Sequence, residues 1–344
     1  MHLVHSLLAL GLLTPSSLAG PPRPPRFTAT EVFSFTPSNP VFIENLLVLP
    51  DNRIIVTHFG GPGPDSPLYL VNQTSGTASI IASLPDSTAQ TGVVALGNNK
   101  YAVTTGIVGP NFEFINGSAA AHVISLLPGA SSATILDTIP IPDTINVNGL
   151  VALPSHNANS ERHILLSADS RGGRVLKINT VTRTSSVAFT DPLLGGNPNI
   201  TTSIGITGVN GLSLRNGGRD GYLYFTNSAQ GTYGRVKVSN QGNKIGSVEI
   251  ISTIATPPGQ ENFFDDLAVT KSGEGYVTWQ TDKFIRVGRN GAQTVVLGPG
   301  VGDVVLRYPT AAKLGVSGRE VYVATGGIDA LGNMLGGQVV KVSI

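Results

Sequence analysis

Four oxygen-bearing side chains recur at one place in a repeating pattern: Glu44, Asn148, Asn210 and Asp265, the last followed by Asp266. Each opens a short apolar run: Glu44-Asn45-Leu46-Leu47-Val48-Leu49, Asn148-Gly149-Leu150, Asn210-Gly211-Leu212 and Asp265-Asp266-Leu267. Two carboxylates and two amide carbonyls are hard oxygen donors, a set that suits a calcium-like cation. The same residue types also cap strand starts and turn corners, and Asn-Gly is ordinary hairpin chemistry, so singly each fits a structural role. His58 heads the Phe59-Gly60-Gly61 stretch and is a candidate rim acid or base near neutral pH, or else a loop histidine bonded to backbone. Tyr308 precedes the last of the repeats and is a further candidate. His122 and His163 sit in strand-like stretches and read as structural. Trp279, Phe263, Phe264 and Tyr233 fall near repeat starts or ends; most are expected in blade packing, a minority in an apolar pocket.

The elements that would position these groups are strand-turn-strand units returning about six times. The first turns at Pro50-Asp51-Asn52-Arg53 and resumes at Ile54-Ile55-Val56-Thr57. The second opens at Thr91-Gly92-Val93, turns at Gly97-Asn98-Asn99-Lys100 and resumes at Tyr101-Ala102-Val103-Thr104; the last begins near Pro309-Thr310-Ala311. Hairpins inside a period of roughly 45 to 60 residues mark propeller blades. The expected fold is therefore all-β, a six-bladed β-propeller over residues 29–344, closed by pairing of the N- and C-terminal strands. Ala29 to Phe35 and Gly337 to Ile344 read as those two strands, and their pairing would remove an open sheet edge. In such a ring, residues that open equivalent innermost strands converge on the axis although they lie far apart in sequence. The insert Gly60 to Pro67 and the stretch Leu193 to Ile206 read as loops on one rim.

Composition agrees. Hydrophobic residues make up 40% of 344 and charged residues 12%, with Gly 42 and Pro 23, which fits a large core and many tight turns. A net charge of +1 without a basic cluster argues against nucleic acid as a partner. Residues 1–19 read as a secretory signal peptide, with Leu3 to Leu13 as the apolar run and Ser17-Leu18-Ala19 as the cleavage region; residues 20–28 read as an N-terminal arm without structure of its own. The apolar run is too short for a transmembrane span. Asn72, Asn116 and Asn199 each open an N-x-Ser/Thr sequon, consistent with glycosylation along a secretory route. The absence of cysteine excludes disulfides, thiol nucleophiles and zinc–thiolate or iron–sulfur sites. No Ser-His-Asp order, nucleophile elbow or Gly-rich phosphate loop is present, which disfavours acyl-enzyme chemistry and nucleotide binding.

At the strand-opening residues the chain resembles the SMP-30/gluconolactonase/luciferin-regenerating-enzyme family of six-bladed propellers. The resemblance implies that Glu44, Asn148, Asn210 and Asp265 surround a divalent cation, usually calcium, with Asp266 where the family usually has Gly. It also resembles a secreted branch of that superfamily from filamentous fungi, through its first inner strand and the segment Tyr224-Phe225-Thr226-Asn227. That branch includes hetero-Diels-Alderases that join a tropolone-derived quinone methide to a terpene such as humulene. Three functions follow as expectations. The first is cycloaddition of small apolar metabolites, which requires no cofactor. The second is calcium-dependent lactone hydrolysis, with Asp265 or Asp266 managing the water proton. The third is ligand binding without catalysis.

Overall fold

A computed structural model describes residues 27–61, 63–155, 160–200, 206–216, 220–254 and 262–344. The stretch read as a signal peptide, most of that read as an N-terminal arm, and part of the stretch Leu193 to Ile206 lie outside the described residues.

Six four-stranded antiparallel sheets form the ring, each running outward from an innermost strand. The innermost strands are Ile43–Val48, Ala89–Gly97, Val147–Ala152, Val209–Asn216, Phe264–Val269 and Pro309–Leu314, for blades one to six. In the sixth blade, strands Pro309–Leu314, Glu320–Thr325 and Gln338–Ser343 are completed by Thr28–Ser34, which pairs antiparallel with the C-terminal strand. The ring is thus closed by the two chain ends, as the sequence predicts. Among the described residues, the helical content is two single 3₁₀ turns, Pro110–Phe112 and Pro192–Leu194.

Alternation along the strands sends one apolar set toward each neighbouring blade. One apolar cluster accordingly fills each seam between adjacent blades, as with Leu49, Ile55, Val93 and Val103 between blades one and two. Hydroxyls pin the seams nearer the axis. Thr57 Oγ1 donates to the Thr91 carbonyl at 2.8 Å, Thr278 Oγ1 to the Thr310 carbonyl at 3.2 Å, and Thr310 Oγ1 to the Ile43 carbonyl at 2.8 Å. Thr226 Oγ1 likewise donates to the Asp265 carbonyl. Each bond ties the polar start of one inner strand to the blade beside it.

All six inner strands break register where they open, between Ile43/Asn45, Gln90/Val93, Val147/Leu150, Val209/Leu212, Phe264/Leu267 and Pro309/Ala311. A bulge bends a strand and re-aims its side chains. Here it splits the opening dipeptide into two layers. The first residue of each pair (Glu44, Thr91, Asn148, Asn210, Asp265, Pro309) belongs to the cavity end. The second lies in the layer below: Gly92, Gly149 and Gly211 abut the opening of the next blade, Thr310 bonds the Ile43 carbonyl, and Asn45 and Asp266 bond each other. Glycine is needed at three of these second positions by close approach. A Cβ on Gly149 would lie 2.5 Å from the Leu212 nitrogen, one on Gly92 2.7 Å from the Asn148 carbonyl, and one on Gly211 2.5 Å from the Asp266 Cα.

Candidate active site

A cavity of about 720 Å³ opens at the end of the ring where the inner strands begin. Glu44, Asn148 and Asp265 contribute to its polar floor together with Thr91. The walls are apolar and largely aromatic: Phe42, Phe59, Phe112, Phe263 and Tyr308, with Ile328 and Met334. This combination of an apolar body and a few convergent polar groups is the usual form of a small-molecule site.

The floor carries more negative charge than its surroundings compensate. Although part of Glu44 faces the cavity, the ring surrounds it; burial first, then Asp265 and Asp266, raises its pKa well above the ordinary carboxylate value. Burial pushes Asp265 up to about 7, opposed by a hydrogen bond from the Gln280 amide, reinforced by the charge of Asp266, and again opposed by the Asn210 amide. Gln280 Nε2 donates to Asp265 Oδ2 at 3.0 Å and to the Pro309 carbonyl at 2.8 Å. Asn210 is buried beneath the floor, with Nδ2 donating to Ser228 Oγ at 2.9 Å.

The four residues of the sequence-derived cluster are thus brought to one end of the axis, three at the cavity surface and Asn210 just below it. They also fit a hard cation. Asn210 Oδ1 and Gln280 Oε1, both beside Asp265, are buried carbonyl oxygens without a hydrogen-bond partner among the described residues. Buried acceptors normally find a donor or an ion. Two carboxylates of raised pKa and two such oxygens form a set whose desolvation a divalent cation would relieve.

Asp266 occupies the other layer and does not line the cavity. Its Oδ2 accepts from Lys313 Nζ at 2.6 Å and from Asn45 Nδ2 at 2.8 Å, while Oδ1 accepts from the Leu267 N–H at 2.7 Å. A carboxylate standing where blades two to four have glycine is therefore matched by a lysine from blade six and an amide from blade one. Asp266 thereby ties blade five to blade six and to blade one, and it is not among the residues that line the cavity.

His58 is also absent from the cavity lining. It ends the second strand of blade one, buried, with its ring edge-on to Tyr69 at 6.2 Å, and burial depresses its pKa to about 4. Successive strand residues face opposite sides, so His58 turns into the blade while Phe59 turns into the cavity. Tyr308 does line the cavity, 6.0 Å edge-on from Phe42, and holds a left-handed backbone at φ 62°. Among the other aromatic candidates, Phe263 reaches the wall, whereas Phe264 and Tyr233 are fully buried in blade packing. His122 is buried and bonded to the hydroxyls of Thr138 and Thr105. The sequon residues Asn72, Asn116 and Asn199 are all exposed.

Sequence reasoning missed Arg171 and Asn146, which also line the cavity. Arg171 follows the second strand of blade three and crosses to blade two, donating from Nη2 to the Asn111 carbonyl at 3.0 Å. Its signal would have been a charged residue at the end of a blade's second strand, on the same rim as the inner-strand openings.

Fold and site together define a six-bladed propeller with an aromatic-walled axial cavity over a carboxylate floor. No family model matches the chain, and no curated protein matches it. Solved structures with a similar fold include regucalcin, a calcium-binding protein from Agrobacterium tumefaciens, at TM-score 0.58 and 14% identity, covering 89% of this chain and 91% of that one. A luciferin-regenerating enzyme matches at TM-score 0.55 and 9% identity, over 88% and 92% of the two chains. An auxiliary nutrient binding protein from Bacteroides thetaiotaomicron matches at 0.61 and 10%, over 92% and 76%. At these identities the shared property is the fold. Among the described residues, no helix is long and apolar enough to cross a membrane.

Proposed function

We propose that this chain is a small-molecule enzyme of fungal secondary metabolism, and that it catalyses a hetero-Diels–Alder addition between a tropolone-derived quinone methide and a terpene such as humulene. The observation that carries the reading is the cavity itself: roughly 720 Å³, walled by Phe42, Phe59, Phe112, Phe263 and Tyr308 and polar only at one end. A [4+2] addition forms one C–O and one C–C bond and releases nothing, so it asks the protein for position rather than for a nucleophile. Holding two reactants in reacting geometry is worth up to ~7 to 11 kcal/mol of barrier. A hydrogen bond to the oxygen that gains charge adds ~3 kcal/mol. The aromatic wall supplies the first contribution, and the side-chain amide of Asn148 at the floor supplies the second. The sequence of residues 1–19, read as a leader, and the three exposed sequon asparagines support a secretory route for the protein.

A calcium-dependent lactonase is the second reading, favoured by the partnerless oxygens of Asn210 and Gln280 beside Glu44 and Asp265. Bound there, the cation would polarise a lactone carbonyl. Glu44, Asn148, Asn210 and Asp265 would hold it, and the aromatic wall would exclude bulk water.

Turnover by the signal-free protein, with and without EDTA, tests both readings on two substrates: an aldonolactone, and a tropolonic quinone-methide precursor mixed with humulene. Cycloadduct above the spontaneous rate and indifferent to EDTA is the expected result. Lactone hydrolysis abolished by EDTA and restored by calcium would overturn it in favour of the second reading. Silence on both substrates would leave a ligand-binding propeller.

A further inference from the structure

Beside the axial cavity, along the blade-two loop, lies another hollow of about 590 Å³. Asn116, Pro142, Asp143, Ile145 and Arg174 are among its lining residues, and Arg171 lines both hollows, so the two share a wall. The lining is firmly built. Asp169 is 1% exposed and accepts from Thr144 Oγ1 at 2.8 Å, from the Gly172 N–H at 2.9 Å and from Arg174 Nε at 2.7 Å. Asp143 is exposed, and its main-chain carbonyl accepts from Arg174 Nη2. Among the described residues its carboxylate accepts no hydrogen bond. The hollow therefore offers a carboxylate acceptor beside the apolar surfaces of Pro142 and Ile145. A sugar ring matches that profile, with hydroxyls around its edge and C–H groups across its face.

Asn116 opens the Asn116-Gly117-Ser118 sequon and stands, exposed, in the wall of this hollow. A sugar on its Nδ2 would begin there. Asn72 is placed differently: it ends strand Ser66–Asn72, and its Oδ1 caps the outer turn of blade one, accepting from the Thr74 and Ser75 N–H groups at 3.0 and 3.3 Å. We infer that the hollow is the seat of a glycan carried by Asn116, whose first N-acetylglucosamine rings lie against Pro142 and Ile145 and donate a hydrogen bond to Asp143. The attachment is that of any sequon. The Asn116 amide nitrogen displaces the diphosphate of a lipid-linked oligosaccharide at the anomeric carbon and loses one proton. Seated there, the glycan braces the loop that carries Phe112 to the axial cavity. Asn111 and Phe112 hold left-handed backbones at φ 65° and 59°, a conformation that persists only when its surroundings enforce it, and the Phe112 ring is 67% exposed. Protein contacts fix the loop beyond them, with the Ile115 N–H donating to the Ile107 carbonyl and the Phe114 N–H to the Ile145 carbonyl, each at 2.7 Å. The sugar adds a further link, from Asn116 to the segment 142–145.

Full-length protein secreted from a glycosylating eukaryotic host tests this, with the Asn116 glycopeptide followed by mass spectrometry during endoglycosidase digestion of native and of denatured protein. Asn116 should be occupied, and its glycan should be trimmed about 10-fold more slowly in the native protein, the protection given by one hydrogen bond to a charged group. Asp143→Ala keeps the sequon and should remove most of that protection, whereas Asp143→Asn, which keeps an acceptor, should retain part of it. Trimming of the Asn72 glycan should be the same in all three proteins. An unoccupied Asn116, native trimming as fast as in the denatured protein, or protection unchanged in Asp143→Ala would each overturn the inference. The glycan presupposes the secretory route proposed for the protein, not the reaction proposed for the cavity. Cycloadduct from protein whose Asn116 is bare or unprotected removes the seating alone, and a protected glycan on protein silent toward both substrates leaves it standing.

Discussion

Replacing Asp265 with Asn changes the pH dependence of stability in a direction and size that the floor geometry sets. Asp265 has a folded pKa raised from 3.8 to about 7, chiefly by burial, and Glu44 is raised beside it. A carboxyl raised on folding favours the folded state at low pH, and that contribution is lost as pH rises through the folded value. The wild type, kept in EDTA, should therefore lose stability between about pH 4 and pH 8 on account of this pair. At about 1.4 kcal/mol per pH unit of difference, Asp265 alone contributes a loss of about 4 kcal/mol as an upper bound. For a ring of this size that corresponds to a Tm change of roughly 5 to 10 °C. Asp265→Asn keeps an acceptor for Gln280 and removes the charge that also raises Glu44. It should match the wild type near pH 4 and exceed it at pH 8. Other carboxylates are common to both proteins, so the difference between the two curves isolates the floor. Thermal unfolding followed by circular dichroism at intervals from pH 4 to pH 8 reads this directly. Parallel curves for wild type and Asp265→Asn would refute the claim that the floor carries uncompensated charge.

The remaining predictions concern the other layer of the ring and the residues outside the cavity. Asp266→Ala should cost about 3 kcal/mol in urea unfolding, the low end for a broken buried pair because the Lys313 side chain is 16% exposed; Asp266→Ala/Lys313→Met should recover most of it. A double variant no more stable than the single would show that the pair does not act as a unit. Gly149→Ala drives a Cβ to 2.5 Å from the Leu212 nitrogen and should destabilise by more than about 2 kcal/mol, whereas Gly246→Ala, with open space around it, should cost less, through its φ of 79° alone. Equal losses in thermal unfolding would contradict the close approach at the axis. His58→Gln should leave the pH–rate profile of turnover unchanged between pH 5 and 8, because burial keeps the imidazole neutral down to about pH 4. Its stability contribution is present above the ordinary histidine pKa and lost as pH falls toward 4, so the variant should differ only in acid unfolding. An altered rate profile would place His58 in the chemistry.

The repeat was legible because blade-opening residues announce themselves: a small polar or acidic residue followed by a β-branched or leucine run needs only its spacing to be read. Closure of the ring by Thr28–Ser34 beside Gln338–Ser343 was legible for the same reason, as a strand lacking a partner at each end of the chain. The difference between Asp265 and Asp266 was not. Adjacent identical residues look equivalent in sequence, and only the bulge shared by all six inner strands sends one to the cavity and the other to Lys313. His58 and Phe59 show the same limit, since the path of the loop beyond blade one decides which side each faces. For Arg171 the rim position after a blade's second strand was legible, but its place in the wall was not. Its place in the wall depends on contact with the Asn111–Glu113 segment of a different blade, and no spacing in the chain encodes that encounter.

In the proposed cycloaddition the aromatic-walled cavity holds two reactants in one geometry. Chiral chromatography of the adduct formed from humulene and the quinone-methide precursor, in the presence of EDTA and against a protein-free control, tests it most directly. One dominant enantiomer, formed faster than in the control, is the expected result. A racemic adduct at the spontaneous rate would contradict it.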